Sequence, residues 1–218
     1  MMPIILNSPV ASIDIDAQNG FTPHCPDELP VPLGQEIVPE LNRQAQFAQY
    51  RLGSKDAHSP QAVWVATPDF PPLSKIEGEN VDLRWPVHCV PGTPGFALLA
   101  GLPSPSQYDY FVWKGVEPDM HPYGACYHDL QEKLSTGVIE FLQCKGVKTV
   151  IVGGLATEYC VKNTVLQLLQ ASFDVIVNLA ACRGLDPLSS IAAMEEMHQR
   201  GATLIESSDY LNVSINIV

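Results

Sequence analysis

Short apolar runs rich in β-branched and aromatic residues recur along the chain, and they predict the strands of a sheet. The run Val150–Val152 has no polar alternation, which is typical of a strand buried on both faces of a parallel sheet. Further strands are predicted at residues 10–16, around 47–54, at 108–113, at 173–179 and at 202–206. The paired glycines Gly153 and Gly154 are expected to end the central strand.

Helical spacing of apolar residues fills most of the intervals between these strands. It predicts helices at residues 34–46, 135–145 and 187–200, and another that follows the paired glycines. Thr157 is the expected N-cap of that last helix, Ser135 caps the second, and Gly146 ends the second. Alternating strands and helices indicate an α/β fold: a three-layer α/β/α architecture with a doubly wound, mainly parallel sheet, in a single domain of residues 1–218.

Residues 56–102 interrupt this alternation. The segment lacks helical periodicity and is rich in prolines and glycines, so it is predicted to be a long loop. Loops of this length are uncommon in compact domains and usually carry function.

The composition is that of an ordinary globular protein, with 46% hydrophobic and 17% charged residues. Its 24 acidic and 12 basic residues give a net charge of −12 without a basic cluster, so nucleic acids and membranes are not expected as partners.

No apolar run approaches the ~18 residues of a membrane span, and the N-terminus lacks a signal-peptide pattern, which favours a cytoplasmic protein. The six cysteines have no CxxC spacing, so most are expected to be free thiols.

Three chemically useful side chains fall at the predicted carboxyl ends of strands: Asp16, Lys114 and Cys160. In a parallel sheet these ends share one edge, where ligands bind. Cys160 lies in the first turn of a helix, where the dipole and unpaired N–H groups favour a thiolate nucleophile and can hold an oxyanion. Asp16 could accept its proton, and Lys114 could keep that carboxylate ionised. Taken singly, these residues also fit structural roles as a turn residue, a surface amine and a small buried hydrophobe.

A second cluster consists of Asp56, His58 and His88. Asp56 and His58 follow a predicted strand two residues apart, and His88 follows the rigid turn at Trp85 and Pro86. A carboxylate and two imidazoles form an incomplete shell that leaves positions for water or substrate, as in catalytic metal sites. The DxH pattern is common, however, and core or surface histidines are the alternative.

Five blocks occur in order along the chain: DAQNGF (16–21), DAH (56–58), WPVHCVPGTPG (85–95), WKG (113–115) and GGLATEYCV (153–161). Together they resemble the nicotinamidase family of the isochorismatase-like cysteine hydrolases, over nearly the whole chain. The WPVHCV block beside DxH is the pattern associated with nicotinamidases in particular. The resemblance implies a catalytic triad of Asp16, Lys114 and Cys160. It also implies one divalent metal ion, typically zinc with iron or manganese as alternatives, held by Asp56, His58, His88 and water.

The resemblance further implies the surroundings of the substrate. Phe21 and Trp85 match positions that wall the ring pocket, although core packing would also account for both residues. The family places a cis peptide bond before the residue that matches Ala156, so that the N–H groups of Ala156 and Cys160 form an oxyanion hole.

Two departures from the family pattern concern the metal site. Ala57 stands where many members have tryptophan or another large residue, and residues 59–64 contain no further histidine. A fourth protein ligand to the metal is therefore not expected.

The activity that the resemblance implies is hydrolysis of nicotinamide, and of pyrazinamide, to the acid and ammonia through a cysteine thioester, in NAD salvage. Two alternatives stay open: a sibling cysteine amidohydrolase that acts on another small amide or ureido compound, and a non-catalytic, metal-dependent pyridine-binding protein. Relatives commonly self-associate, so a homo-oligomer is an expectation.

Overall fold

The computed structural model describes residues 4–213, which are organised around a six-stranded sheet. The strands of the chain are β1 (Ile4–Leu6), β2 (Val10–Ile15), β3 (Tyr50–Asp56), β4 (Tyr110–Lys114), β5 (Thr149–Leu155), β6 (Asp174–Arg183), β7 (Thr203–Ile205) and β8 (Leu211–Val213). The main sheet has the order β4-β3-β2-β5-β6-β7, and every neighbouring pair is parallel. The short strands β1 and β8, which the sequence pattern did not predict, form a separate parallel pair.

Helices cover both faces of this sheet. They are α1 (Val38–Gln44), α2 (Val138–Cys144), α3 (Lys162–Gln170) and α4 (Pro187–Gln199). On one face, Val150 and Val152 of β5 pack in a cluster with apolar residues of α2, α3 and α4, such as Leu142 and Leu168. On the other face, Leu41 of α1 packs with side chains of β5 and β6. The predicted three-layer α/β/α architecture with a parallel sheet is confirmed.

Strand β5 corrects one prediction, because it continues through the paired glycines and ends at Leu155. The glycines serve close packing instead of ending the strand. A Cβ on Gly153 would lie 2.6 Å from the Ala181 Cβ, and a Cβ on Gly154 would lie 2.1 Å from the Ile15 carbonyl oxygen. Gly154 also has a φ of +145°, which side-chain-bearing residues rarely adopt.

Two predicted helix starts are also wrong. Helix α2 begins after Gly137, and the Ser135 hydroxyl instead accepts a hydrogen bond from the Gly137 N–H and donates one to Glu140. Thr157 does not cap its helix, since it is the first residue of a π-helical turn, Thr157–Val161, that leads into α3. Local hydrogen bonds of the serine side chain and the wider turn outweigh the simple capping pattern in these places. The predicted end of α2 is confirmed, because Gly146 follows it with a φ of +66°.

The segment between β3 and β4 is irregular, as predicted, with short 3₁₀ turns at Pro94–Phe96 and Pro105–Gln107. All six cysteines lie within the described residues and are free thiols. No helix between residues 4 and 213 combines the length and the apolar character needed to cross a membrane.

Candidate active site and metal centre

Four reactive side chains stand at the carboxyl ends of four neighbouring strands. Asp56 and Lys114 are the last residues of β3 and β4 and are paired in register. Asp16 directly follows β2, and Cys160 lies in the π-helical turn after β5. All four are buried. Because the strand order is β4-β3-β2-β5, the sheet itself brings these residues together.

The predicted triad residues are in contact. Lys114 Nζ lies 3.0 Å from Asp16 Oδ2 and 3.6 Å from Cys160 Sγ. The Ser54 hydroxyl donates a 2.6 Å hydrogen bond to the other oxygen of Asp16, which fixes the orientation of that carboxylate. Lys114 also donates a hydrogen bond to Asp56 Oδ1. The two clusters that the sequence suggested are therefore one connected network.

The charges of this network are strongly perturbed by burial. Burial raises the pKa of Asp16 to about 6, and the Lys114 ammonium only partly offsets this effect. Burial acts in the same direction on Asp56, but Lys114 and His58 outweigh it and hold the pKa of Asp56 well below its usual range. Burial alone would lower the pKa of Lys114, yet the two carboxylates raise it well above its ordinary value. Lys114 is accordingly a permanent cation between two acids.

The expected bias of Cys160 towards thiolate is wrong for this structure. Burial raises the pKa of the Cys160 thiol well above its ordinary value, and the attraction of Lys114 does not compensate. Asp16 and Asp56 raise it further, because an oxygen of each carboxylate and Sγ all lie within 4.8 Å of one another. The thiol is protonated at rest and has a carboxylate beside it to receive the proton.

The backbone before Cys160 has the conformation that the resemblance implies. The Leu155–Ala156 peptide bond is cis, and Ala156 is the N-cap of the turn that carries Cys160. Ala156 and Cys160 both line the same pocket. Their N–H groups belong to the first residues of a helical segment, where donors lack helical partners.

The predicted metal ligands also lie together. His58 Nε2 is 3.3 Å from Asp56 Oδ2, and His88 Nε2 is 3.9 Å from the same oxygen. The Nδ1 atoms lie 3.0 Å from the Gly115 carbonyl oxygen for His58 and 2.7 Å from the Pro86 carbonyl oxygen for His88. A Cβ on Gly115 would lie 2.3 Å from the His58 ring, so this glycine permits the close approach.

This arrangement fits a divalent metal ion. A carbonyl oxygen only accepts hydrogen bonds, so Nδ1 of each imidazole carries a proton, and Nε2 is the nitrogen that faces the carboxylate. Burial and the neighbouring His58 lower the pKa of His88 to about 3, which keeps its ring neutral. His58 Nε2 has no hydrogen-bond partner among residues 4–213. Imidazole Nε2 atoms that converge on a carboxylate, with the other ring nitrogen held by a backbone carbonyl, are the usual environment of metal-ligating histidines.

One histidine beside this centre, His121, was not predicted from the sequence. Nitrogen atoms of His58, His88 and His121 all lie within 4.8 Å of one another. The imidazole of His121 stacks on that of His58, with ring centroids 5.0 Å apart and an interplanar angle of 19°. The only available signal was its position in the loop after β4, at the edge of the sheet where Lys114 ends the strand.

A pocket with about 280 Å³ of empty volume opens onto the network. Its lining includes six predicted residues: Phe21, Asp56, Trp85, His88, Ala156 and Cys160. It also includes five that were not predicted: Leu29, His121, Tyr123, Tyr159 and Leu185. The pocket is small and is lined largely by aromatic and apolar side chains, so it suits one small aromatic ring.

Hydrogen bonds fix the indole of Trp85 in the pocket wall. Its Nε1–H donates to the Tyr123 hydroxyl over 3.2 Å, and that hydroxyl donates to Asp82 over 2.8 Å. Tyr159 packs edge-on against the indole, with centroids 4.8 Å apart. Phe21 lies edge-on to His88 at 5.4 Å, so its ring both packs in the core and faces the pocket.

Comparisons with known proteins agree with this geometry. A family model described as the isochorismatase domain matches residues 10–209. The chain belongs to the isochorismatase family. Among curated relatives in this family, a nicotinamidase of Escherichia coli is 32% identical over 210 residues, which are 93% of this chain and 97% of the relative.

Solved structures in the isochorismatase family have the same fold. A nicotinamidase/pyrazinamidase of Acinetobacter baumanii superposes with a TM-score of 0.85 and 30% identity, covering 94% of this chain and 99% of the other. A pyrazinamidase of Pyrococcus horikoshii, solved in complex with zinc, gives a TM-score of 0.71 and 30% identity, covering 90% of this chain and 98% of the other.

Proposed function

We propose that this protein hydrolyses nicotinamide, and its near isostere pyrazinamide, to the carboxylic acid and ammonia. The observation that carries the proposal is the contact of a thiol, a carboxylate and an ammonium at one end of a small aromatic pocket, beside an Asp–His–His set. The nicotinamidase relatives support the same reaction. Such an activity would return nicotinamide to pyridine nucleotide salvage.

Asp56, His58 and His88 would hold one divalent metal ion. Zinc is the first choice because imidazole and carboxylate ligands suit it and a relative was solved with zinc, while iron and manganese are alternatives. When bound, the ion would supply a Lewis acid that fixes the pyridine nitrogen. Phe21 and Trp85 would flank the ring and align the amide carbon with Cys160 Sγ.

Acylation begins with proton transfer from Cys160 Sγ to the Asp16 carboxylate as sulfur attacks the amide carbon. Lys114 stabilises the negative charge that moves between sulfur and carboxylate. The N–H groups of Ala156 and Cys160 would hold the oxyanion of the tetrahedral intermediate. Asp16 then returns the proton to the amide nitrogen, the C–N bond breaks, and ammonia leaves a thioester.

Deacylation uses the same groups. Asp16 takes a proton from a water molecule as the water oxygen attacks the thioester carbon. The C–S bond breaks, the sulfur recovers the proton from Asp16, and the carboxylic acid leaves as its anion. The sum is one amide and one water converted to one carboxylate and one ammonium ion.

The experiment that tests this proposal measures ammonia release from nicotinamide by metal-replete protein. Wild-type protein should turn over repeatedly and form one nicotinate for each ammonia released. A metal-replete protein that binds nicotinamide but releases no ammonia would be a pyridine-binding protein. Turnover of a ureido or other small amide in preference to nicotinamide would instead identify a sibling amidohydrolase.

A further inference from the structure

His121 is a buried histidine that the proposed reaction does not use. Its side chain is only 4% exposed, and both ring nitrogens have no hydrogen-bond partner within the described residues. An imidazole buried without partners is costly, since each polar atom loses its bonds to water. Such a group requires an explanation.

The ring of His121 lies between the metal centre and the pocket wall. One face stacks on His58, and the ring is also nearly parallel to Trp85, with centroids 5.8 Å apart and an interplanar angle of 12°. One of its ring nitrogens lies within 4.8 Å of a ring nitrogen of His58 and of a ring nitrogen of His88. Two ligand nitrogens of a tetrahedral zinc ion, each about 2.0–2.1 Å from the metal, lie about 3.4 Å apart, so binding would bring these nitrogens closer together by up to about 1.4 Å.

The backbone around His121 is held in place. Its N–H donates a 2.8 Å hydrogen bond to the Asn80 carbonyl oxygen. The preceding carbonyl, that of Met120, accepts a 3.0 Å hydrogen bond from the Trp64 indole. The Trp64 ring also packs edge-on against the His121 ring at 4.5 Å. The imidazole is thus supported on several sides, as ligands in preformed metal sites are.

We propose that His121 is a fourth protein ligand of the metal ion held by Asp56, His58 and His88. This inference rests on the metal site of the proposed function and replaces the expected three-ligand set. It also explains how the chain completes the site although residues 59–64 offer no histidine. Three imidazoles and one carboxylate favour zinc and other borderline ions over manganese, which prefers oxygen ligands.

The test compares zinc affinity among variants after the metal has been stripped with a chelator. The variants are His121→Ala, His121→Phe, His88→Ala as a positive control and His24→Ala as a control at an exposed histidine. The phenylalanine keeps an aromatic ring against His58 and Trp85 but cannot bind a metal. Titration against a chromophoric chelator gives the Kd for zinc.

Both His121 variants should weaken zinc binding by at least about tenfold, since even residues that only support ligands contribute 10–100-fold. His24→Ala should bind zinc as the wild type does. Wild-type affinity in both His121 variants, with a raised KM for nicotinamide, would overturn the proposal and make His121 a substrate contact. Wild-type zinc affinity with an unchanged KM would also overturn the proposal and would mean that His121 has only a packing role. Wild-type affinity in His88→Ala would instead refute the underlying metal site.

A second measurement does not depend on how the variants fold. X-ray absorption of the zinc-loaded wild-type protein counts imidazole ligands through their multiple-scattering pattern. Three imidazoles are expected. Two imidazoles would overturn the role of His121 and leave the proposed metal site intact.

Discussion

Lys114 Nζ lies 3.6 Å from Cys160 Sγ and, in the same position, contacts the carboxylates of Asp16 and Asp56. One buried cation therefore balances both the proposed proton acceptor, Asp16, and a candidate metal ligand, Asp56. This shared charge makes Lys114 the first residue to test.

Lys114→Met should destabilise the metal-free protein by about 3–5 kcal/mol at neutral pH, because it leaves two buried carboxylates without their cation. Urea denaturation of metal-free wild type and variant measures this difference. Lys148→Met, at an exposed lysine, is the matched control and should change stability by less than about 0.5 kcal/mol. Equal stability of the two variants would contradict the network described here.

Cys160→Ala should reduce ammonia release roughly 10⁴-fold or more, because no other group can form the thioester. Metal content should remain that of the wild type, because the thiol is not among the proposed ligands. Ammonia assays and metal analysis of the same preparation check both statements. Loss of metal in the variant would show that the two clusters are wrongly assigned.

The activity should fall below about pH 6, because Asp16 acts in its ionised form and its pKa is raised to about 6. The ionised fraction, and with it kcat/KM, is largest above this pH and drops about tenfold for each pH unit below it. Protonation of His88 or Asp56 should not release the metal at pH 5, because the pKa of His88 is lowered to about 3 and that of Asp56 is also lowered. When both are measured between pH 4.5 and 8, kcat/KM should therefore fall at the acidic end while the metal content stays constant. If kcat/KM instead falls at low pH in parallel with metal content, protonation of Asp16 is not the cause of the fall.

Tyr123→Phe should raise KM for nicotinamide several-fold with a smaller effect on kcat. The change removes the hydroxyl that joins Trp85 to Asp82, and each such hydrogen bond contributes about 1 kcal/mol. Steady-state kinetics measure the two constants. Tyr210→Phe, at a hydroxyl bonded to Glu206 on the surface, is the control and should leave both constants unchanged.

Gly154→Ala should destabilise the protein by several kcal/mol, because the new Cβ would meet the Ile15 carbonyl oxygen at 2.1 Å. Gly146→Ala is the control, since Gly146 also has a positive φ but open space around it, and it should cost only about 1–2 kcal/mol. Thermal and urea denaturation measure the difference. Similar losses in both variants would mean that backbone conformation alone, without the steric contact, determines the effect.

The positions of Asp16, Asp56, Lys114 and Cys160 were predictable because the ends of parallel strands share one edge of the sheet. The pKa values of these side chains were not predictable. The raised pKa of Cys160 depends on burial and on two carboxylates from other strands, which outweigh the local effect of a helix start. Sequence patterns report only the local effect.

His121 was missed for a related reason. Its partners, His58, His88 and Trp85, come from other loops, and no spacing within its own segment relates it to them. The glycines of β5 were misinterpreted because the atoms that exclude a side chain, such as the Ile15 carbonyl oxygen, belong to a neighbouring strand. Both errors concern contacts between distant segments.

The strand ends and the loops of this site carry different tasks. In the proposed mechanism, proton transfer depends on Asp16 and Lys114, which the backbone pairing of β2, β3 and β4 holds at fixed spacing. In the proposed function, recognition of the ring depends on Trp85, which lies in the loop between β3 and β4. Because loops tolerate insertions and substitutions more readily than paired strands do, new amide specificities could evolve on this scaffold while its reactive groups stay in register.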